Sequence, residues 1–319
     1  MITSKLISYG AYLPKKVLTN DDLSKIVETS DDWITTRTGI KKRHIAGEEE
    51  LTSDLATKAL EAALNKQSLD TDDLDAIILA TTTPDIIFPA TAIKVQNNIG
   101  MKKGFALDIQ AVCSGFIYAL SIADSMIKAR QVKRVAVIGA EVMSKIIDWK
   151  DRSTCVLFGD GAGAVIVEAS EDTEIGILGI DLYSDPKLYD ILKVDGGVAK
   201  GNMNAKISMN GKEVFRYAVT RMLSSTTTLA KKIGIIIDQI DCLIPHQANY
   251  RIIKAITERV GIEHEKVIST VASHANTSAA SIPLALEYAI NEGKAKVGDI
   301  IALTSAGAGM TWGSAFIKL

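Results

Sequence analysis

The same order of elements occurs twice along this chain at a fixed spacing, and that repetition constrains the fold more than any single motif. β-Branched runs alternate with helical patterns, as in strand–helix–strand units built on a largely parallel, buried sheet. In the first half the pattern predicts a helix over Ser53 to Asn65, an acidic turn Asp70 to Asp75 and a strand Ala76 to Thr81. A helix Ala92 to Ile99, a strand Gly104 to Ile109, a long helix starting near Cys113 and a strand Arg134 to Gly139 follow. The second half predicts a helix Val214 to Lys231, an acidic turn Asp238 to Asp241, a strand Cys242 to Pro245 and a helix Tyr250 to Val260. It continues with a short strand Val267 to Thr270, a helix starting near Ala279 and a strand Asp299 to Thr304. Ile77 and Cys242 open equivalent strands and Val132 and Val297 precede equivalent ones, both pairs lying 165 positions apart. Each half closes on a glycine-bearing turn and a last strand, Gly159 to Glu168 and Gly309 to Leu319. The chain therefore reads as an α/β duplication, with residues 1–170 and 171–319 as its halves. Corresponding strand ends should meet at a pseudo-twofold axis, and α/β sites form at the carboxyl ends of strands.

Composition narrows the classes of function. With 319 residues, 47% hydrophobic and 23% charged, the chain can bury two packed cores. Only 6 Pro occur against 23 Gly, and no Ser/Gly-rich tract separates the halves, so they should be fused into one body. A net charge of -2, from 36 basic and 38 acidic residues, argues against general attraction to nucleic acid or to an anionic membrane. Met1 to Tyr9 lacks the regions of a signal peptide, and no apolar run approaches the roughly 20 residues of a membrane span, so a cytoplasmic location is expected. The 3 cysteines, Cys113, Cys155 and Cys242, are odd in number and scattered, which suits neither a disulfide framework nor a zinc site. No metal is expected.

Three strand ends carry the candidate chemistry. Cys113, in Asp108-Ile109-Gln110-Ala111-Val112-Cys113-Ser114-Gly115-Phe116, falls between a buried strand and the start of a helix. Unpaired amides of a first helical turn favour a thiolate, which makes a nucleophile a better reading there than a small buried hydrophobe. Pro245-His246-Gln247-Ala248-Asn249 follows the matching strand of the second half, and His274-Ala275-Asn276-Thr277-Ser278 mirrors the cysteine elbow. His246 and Asn276 thus stand at duplicated positions opposite Cys113. His274 should share the general face of Asn276, with its role open, while His44 and His264 lie in polar loop sequence and are expected at the surface. Gly159-Asp160-Gly161-Ala162-Gly163 lacks a phosphate-loop Lys-Ser/Thr and is expected to make a tight turn beside the site. Ser305-Ala306-Gly307-Ala308-Gly309-Met310 is either a simple tight turn or a source of oxyanion-binding amides.

Taken together, Ala111-Val-Cys-Ser-Gly-Phe116, Ile244-Pro-His-Gln-Ala-Asn249, His274-Ala-Asn-Thr-Ser278 and Thr311-Trp-Gly-Ser-Ala315 resemble the β-ketoacyl-acyl-carrier-protein synthase III family. The likeness runs over essentially the whole chain, including Asp32-Trp-Ile-Thr-Thr-Arg-Thr-Gly-Ile40 and Phe158-Gly-Asp-Gly-Ala-Gly163. It implies a thiolase-like duplicated αβαβα five-layered fold with two mixed, largely parallel sheets, working as a homodimer in bacterial or plastid type II fatty acid synthesis. The implied reaction is an initiating decarboxylative condensation. Cys113 takes a short acyl group, acetyl by default, from an acyl-coenzyme A; His246 and Asn276 then support decarboxylation of malonyl-acyl-carrier protein.

The same resemblance implies an oxyanion hole from the backbone amides of Cys113 and Ala308. It implies a coenzyme A site at Trp33, Arg37, Arg152 and Asn249, with adenine held between Trp33 and Arg152. Phe88, in the apolar segment Asp85-Ile-Ile-Phe-Pro89, would wall the partner subunit's acyl pocket. Arg216, Arg251, Lys254 and Arg259 would receive acyl-carrier protein, with Glu258 weakening that patch. Acyl-coenzyme A is a substrate, and no cofactor is implied. Elongating synthases carry a second histidine where this chain has Asn276, and thiolases a second reactive cysteine near the closing glycine turn. Neither replacement is present. A relative making quinolones or polyketides, and a silent carrier-binding module, are the competing readings.

Overall fold

The computed structural model describes residues 2–319. Sheet one contains β1 (Thr3–Tyr12), β2 (Ala76–Ala80), β3 (Phe105–Ile109), β4 (Arg134–Val142) and β5 (Asp160–Ser170), in the spatial order β1-β5-β4-β2-β3. β2 runs parallel to both β3 and β4, while β5 is antiparallel to β4 and β1. Sheet two contains β6 (Gly176–Ser184), β7 (Cys242–Pro245), β8 (Ile300–Gly307) and β9 (Thr311–Lys318), in the order β7-β8-β9-β6. There β7 and β8 are parallel and the other pairings antiparallel.

The sheets are interleaved with helices α1 (Thr52–Lys66), α2 (Thr91–Asn98), α3 (Gly115–Lys128), α4 (Gly211–Lys232), α5 (Tyr250–Val260) and α6 (Ser281–Asn291). α1 covers the outer face of sheet one, α3 and α6 lie between the sheets, and α4 with α5 covers sheet two. This is the five-layered, thiolase-like α/β architecture. Because side chains alternate across a strand, the central strands are apolar on both faces. Ile77 and Leu79 pack outward with Leu55 and Leu60, while Ile78 and Ala80 pack inward with Phe116 and Leu120. The second half repeats this, with Leu243 outward among Met222 and Ile253, and Cys242 and Ile244 inward. Three cores result, where composition alone suggested two, because the shared central layer is a core in its own right.

The duplication departs from its pattern at one strand. Val267 to Thr270, expected as a strand, makes only a single parallel bridge, Leu243 to Val267. The reason is local: the buried Gln247 carboxamide oxygen accepts from Thr270 N at 2.7 Å and Val271 N at 3.2 Å, so those amides turn away from the sheet. The Gly159 to Gly163 cluster also differs from expectation, since it opens β5 directly. A Cβ on Gly163 would lie 2.7 Å from Pro283 Cβ, so this glycine lets the strand approach α6. His44 is half-buried in the short strand Lys42–Ile45, with Nδ1 2.7 Å from Pro14 O, and is not a surface loop residue.

Candidate active site

Cys113 lies in the 3-10 turn Val112–Ser114 that joins β3 to α3. Val112 adopts φ 48°, a costly conformation for a β-branched residue, and Ser278, 166 positions later, adopts φ 50°. The two elbows therefore share their bend, one residue out of the 165-residue register. The end of β8 presses on the cysteine elbow. Ser305 Oγ donates to Cys113 O at 2.7 Å and Thr311 Oγ1 donates to Ala111 O at 3.0 Å. A Cβ on Gly307 would sit 2.8 Å from Cys113 N and 2.9 Å from Ala111 O, so only glycine allows this approach.

One cavity of about 150 Å3 is lined by Cys113, His246 and Asn276 together, with Phe158, Met222 and Gly307 among its other walls. His246 follows β7, and its amide is held by Thr304 O at 2.8 Å. His246 Nδ1 lies 2.6 Å from the buried Ser281 hydroxyl, which also receives Gln247 N–H at 3.4 Å. A Ser281 proton donated to Nδ1 leaves Nε2 as the N–H of the imidazole. Burial pushes His246 down to about 3, so the ring is neutral at physiological pH. Asn276 is fixed by main chain on three sides: its N–H donates to Leu157 O, its carbonyl accepts from Gly159 N, and its side-chain Oδ1 accepts from Ser278 N at 2.9 Å. With Oδ1 engaged, the Nδ2 hydrogens are the donors left to the cavity. The site thus offers a sulfur and two neutral N–H donors.

The thiol does not follow expectation. Burial, with the nearby Glu141 carboxylate adding to it, pushes Cys113 up to about 12, and the donors around it recover only part of this. Helix-end amides favour a thiolate, but they act on a sulfur 5% exposed, where desolvation dominates.

Comparison with known proteins gives this geometry a family. A model described as 3-oxoacyl-[acyl-carrier-protein] synthase III matches residues 107–186, and its C-terminal counterpart matches residues 230–319. The chain is 54% identical over 318 residues to a β-ketoacyl-[acyl-carrier-protein] synthase III of Wolbachia pipientis wMel, covering 99% of each. The chain belongs to the 3-oxoacyl-[acyl-carrier-protein] synthase III family. A crystal structure of such a synthase from Aquifex aeolicus VF5 superposes with a TM-score of 0.95 at 50% identity, covering 99% of this chain and 100% of that one. A priming β-ketosynthase of the R1128 polyketide pathway has the same fold, with a TM-score of 0.94 at 29% identity, covering 99% of this chain and 96% of that one.

The other residues singled out in this synthase III sequence fall in four places. Trp33 and Arg37 share the helix Asp31–Thr38, and Arg37 and Arg152 stand 4.6 and 4.7 Å from the Trp33 ring centroid. Asn249 lines the Cys113 cavity, caps α5 by accepting from Arg251 N at 2.8 Å, and donates to Arg37 O at 3.3 Å. These four groups therefore run from the cavity to the surface. Ala308 opens a turn beside Cys113, and both line a second, larger cavity of about 560 Å3 on the other side of the thiol. Phe88 is 81% exposed and lines neither cavity of its own chain.

Arg216, Arg251, Lys254 and Arg259 are exposed on the neighbouring helices α4 and α5, but Arg216 pairs with Glu213 at 2.8 Å and Lys254 faces Glu258 at 3.8 Å. His274 does not share the Asn276 face. Ala275, at φ 58°, reverses the chain between them, and His274 packs against His44, outside both cavities. Cys155 and Cys242 are buried away from both cavities. Among the described residues no group of three His, Cys, Asp or Glu is gathered as for a metal ion.

Sequence reasoning missed Ser281, Ser278 and Glu141. The last had a readable signal, a carboxylate inside the apolar run Arg134–Val142.

Proposed function

We propose that Cys113, His246 and Asn276 carry the two half-reactions of this condensing enzyme, with acyl transfer at sulfur and decarboxylation at the two N–H donors. The chain is an acyltransferase that catalyses the initiating condensation of fatty acid synthesis, and it works with acyl-coenzyme A and acyl-carrier protein. Cys113 attacks the acyl-coenzyme A carbonyl, and coenzyme A departs, leaving a thioester on sulfur. The tetrahedral oxyanion accepts from the backbone amides of Cys113 and Ala308. Malonyl-acyl-carrier protein then places its thioester oxygen against His246 Nε2–H and Asn276 Nδ2–H. As carbon dioxide leaves, negative charge grows on that oxygen, and a pre-oriented donor is worth about 3 to 4 kcal/mol of activation free energy there. The carbanion attacks the acyl thioester and expels the Cys113 sulfur.

The observation that carries this reading is the single cavity shared by the thiol and two donors whose opposite atoms are already engaged. A neutral imidazole suits it, since the donor needs no proton from solvent.

The Trp33, Arg37, Arg152 and Asn249 path supports a coenzyme A site, but the Arg152 guanidinium lies directly on the Trp33 ring, 4.7 Å from its centroid, so adenine enters between them only if Arg152 swings aside. The exposed Ile86, Ile87 and Phe88, together with the open edge of β3, support a homodimer in which Phe88 reaches the partner's acyl pocket. Arg251 and Arg259 are the stronger candidates for an acidic carrier protein, because Arg216 and Lys254 already face carboxylates. Residues 1–170 and 171–319 are the two units of the duplication. Among the described residues no helix is long and apolar enough to cross a membrane, and a cytoplasmic location belongs to this same reading. Purified protein incubated with acetyl-coenzyme A and malonyl-acyl-carrier protein should release carbon dioxide and form acetoacetyl-acyl-carrier protein. Failure with every short primer would contradict the assignment.

A further inference from the structure

Glu141 is fully buried on β4, yet the reaction as described leaves it without a task. Its carboxylate accepts from Thr83 Oγ1 at 2.6 Å, Thr81 Oγ1 at 3.2 Å, and the amides of Thr82 and Thr83 at 3.0 and 3.1 Å. Those donors belong to the turn after β2, where Thr81 occupies the position equivalent to His246, 165 residues earlier. The face of β4 that carries Glu141 also carries Gly139, whose missing Cβ would lie 2.3 Å from Ala279 O. Glu141 therefore points at the second elbow, Ser278–Ala280, which packs against the cysteine elbow. The Ser278 hydroxyl is fully buried without a hydrogen-bond partner, on the elbow that Glu141 faces and that packs against the elbow carrying Cys113.

We propose that Ser278 and Glu141 form a proton relay for Cys113. As the thiol attacks, its proton passes to Ser278 Oγ while the Ser278 proton passes to a Glu141 oxygen. Glu141 holds that proton for as long as Cys113 is acylated. The departing coenzyme A thiolate takes its proton from solvent, which supplies the one proton consumed when malonyl carboxylate becomes carbon dioxide. When condensation expels the Cys113 sulfur, the relay runs backward and restores both the thiol and the carboxylate. Glu141 suits the role of acceptor better than His246. His246 already carries its Nε2 proton, its Nδ1 is engaged by Ser281, and burial holds it at about 3, whereas Glu141 is pushed up to about 7 by its burial.

The inference rests on Cys113 being the acylated nucleophile. The test is the rate of acetyl transfer from acetyl-coenzyme A to Cys113, followed by rapid quench and intact mass. It compares the unaltered protein, Glu141→Gln, Ser278→Gly and the double variant. Ser278→Gly keeps a residue at ease with positive φ while removing the hydroxyl, so it stands alone should Glu141→Gln not fold. Each single variant is expected to slow acylation at pH 7 by about a hundredfold, with the deficit shrinking at alkaline pH as hydroxide replaces the relay. Losses in the double variant should not multiply, because both residues serve one path. Ser278→Gly acylating within about twofold of the unaltered rate would overturn the relay. So would a Glu141→Gln thiol that alkylates faster, since the carboxylate would then act only as a repelling charge. Absence of acyl mass on Cys113 in the unaltered protein would instead refute the assigned nucleophile.

Discussion

Replacing Ser281 with alanine should separate the two half-reactions, because Ser281 touches the decarboxylating side of the site and nothing on the acyl side. Its hydroxyl sits 2.6 Å from His246 Nδ1, with both residues buried. Removing it leaves a buried ring nitrogen without a partner, at a cost of about 1–3 kcal/mol, and releases the restraint that keeps the proton on Nε2. If the imidazole relaxes by moving its proton to Nδ1, the donor facing malonyl thioester is lost. Decarboxylation of malonyl-acyl-carrier protein should then fall by roughly 5- to 150-fold, the same free energy expressed as a rate. Cys113 acylation should stay within about twofold, since uniform loss would signal general damage. Nitrogen-15 NMR of labelled histidine reads the tautomer directly. The unaltered protein should show His246 neutral with Nε2 protonated, and Ser281→Ala should shift population toward Nδ1–H. An unaltered protein with Nδ1 protonated, or equal losses in both half-reactions, would refute the reasoning.

His246→Ala and Asn276→Ala should each slow decarboxylation by about 10²- to 10³-fold while sparing acylation, measured by separate carbon dioxide and acyl-mass assays. Trp33→Ala should raise KM for acyl-coenzyme A several-fold, in line with about 1–2 kcal/mol of stacking, with little change in kcat at saturation. Gly307→Ala places a Cβ 2.8 Å from Cys113 N, so it should lower stability by about 1–3 kcal/mol in urea titrations and slow acylation together with it. Glu141 binds its proton more tightly folded than unfolded. Its contribution is therefore complete below its ordinary 4.5 and is lost as pH rises through about 7. Glu141→Gln should accordingly remove a decline of up to roughly 3 kcal/mol between those pH values, read as the pH dependence of unfolding free energy.

What was legible in the sequence was whatever depends on period and order. Alternating apolar runs mark β2, β7 and their helices nearly to the residue, and a constant spacing relates the strands of the two halves. Cys113, His246 and Asn276 could be singled out because each ends an element whose position is repeated. The hidden parts depend on side chains competing with main chain or on burial. Gln247 takes the amides of Thr270 and Val271, which removes an expected strand. A positive φ at Ala275, an unusual choice for a residue with a Cβ, turns His274 out of the site. The raised Cys113 titration could not be foreseen from a helix start, because it is set by how completely three layers exclude water from the sulfur.

The central claim is that one sulfur becomes the acyl carrier within a cavity it shares with two N–H donors. Exposing the protein to acetyl-coenzyme A alone, then mapping the acyl group by peptide mass, tests this most directly. One acetyl group per chain, on the peptide containing Cys113 and discharged by malonyl-acyl-carrier protein, is the predicted result. An acetyl group on Cys155 or Cys242, or none at all, would contradict the account.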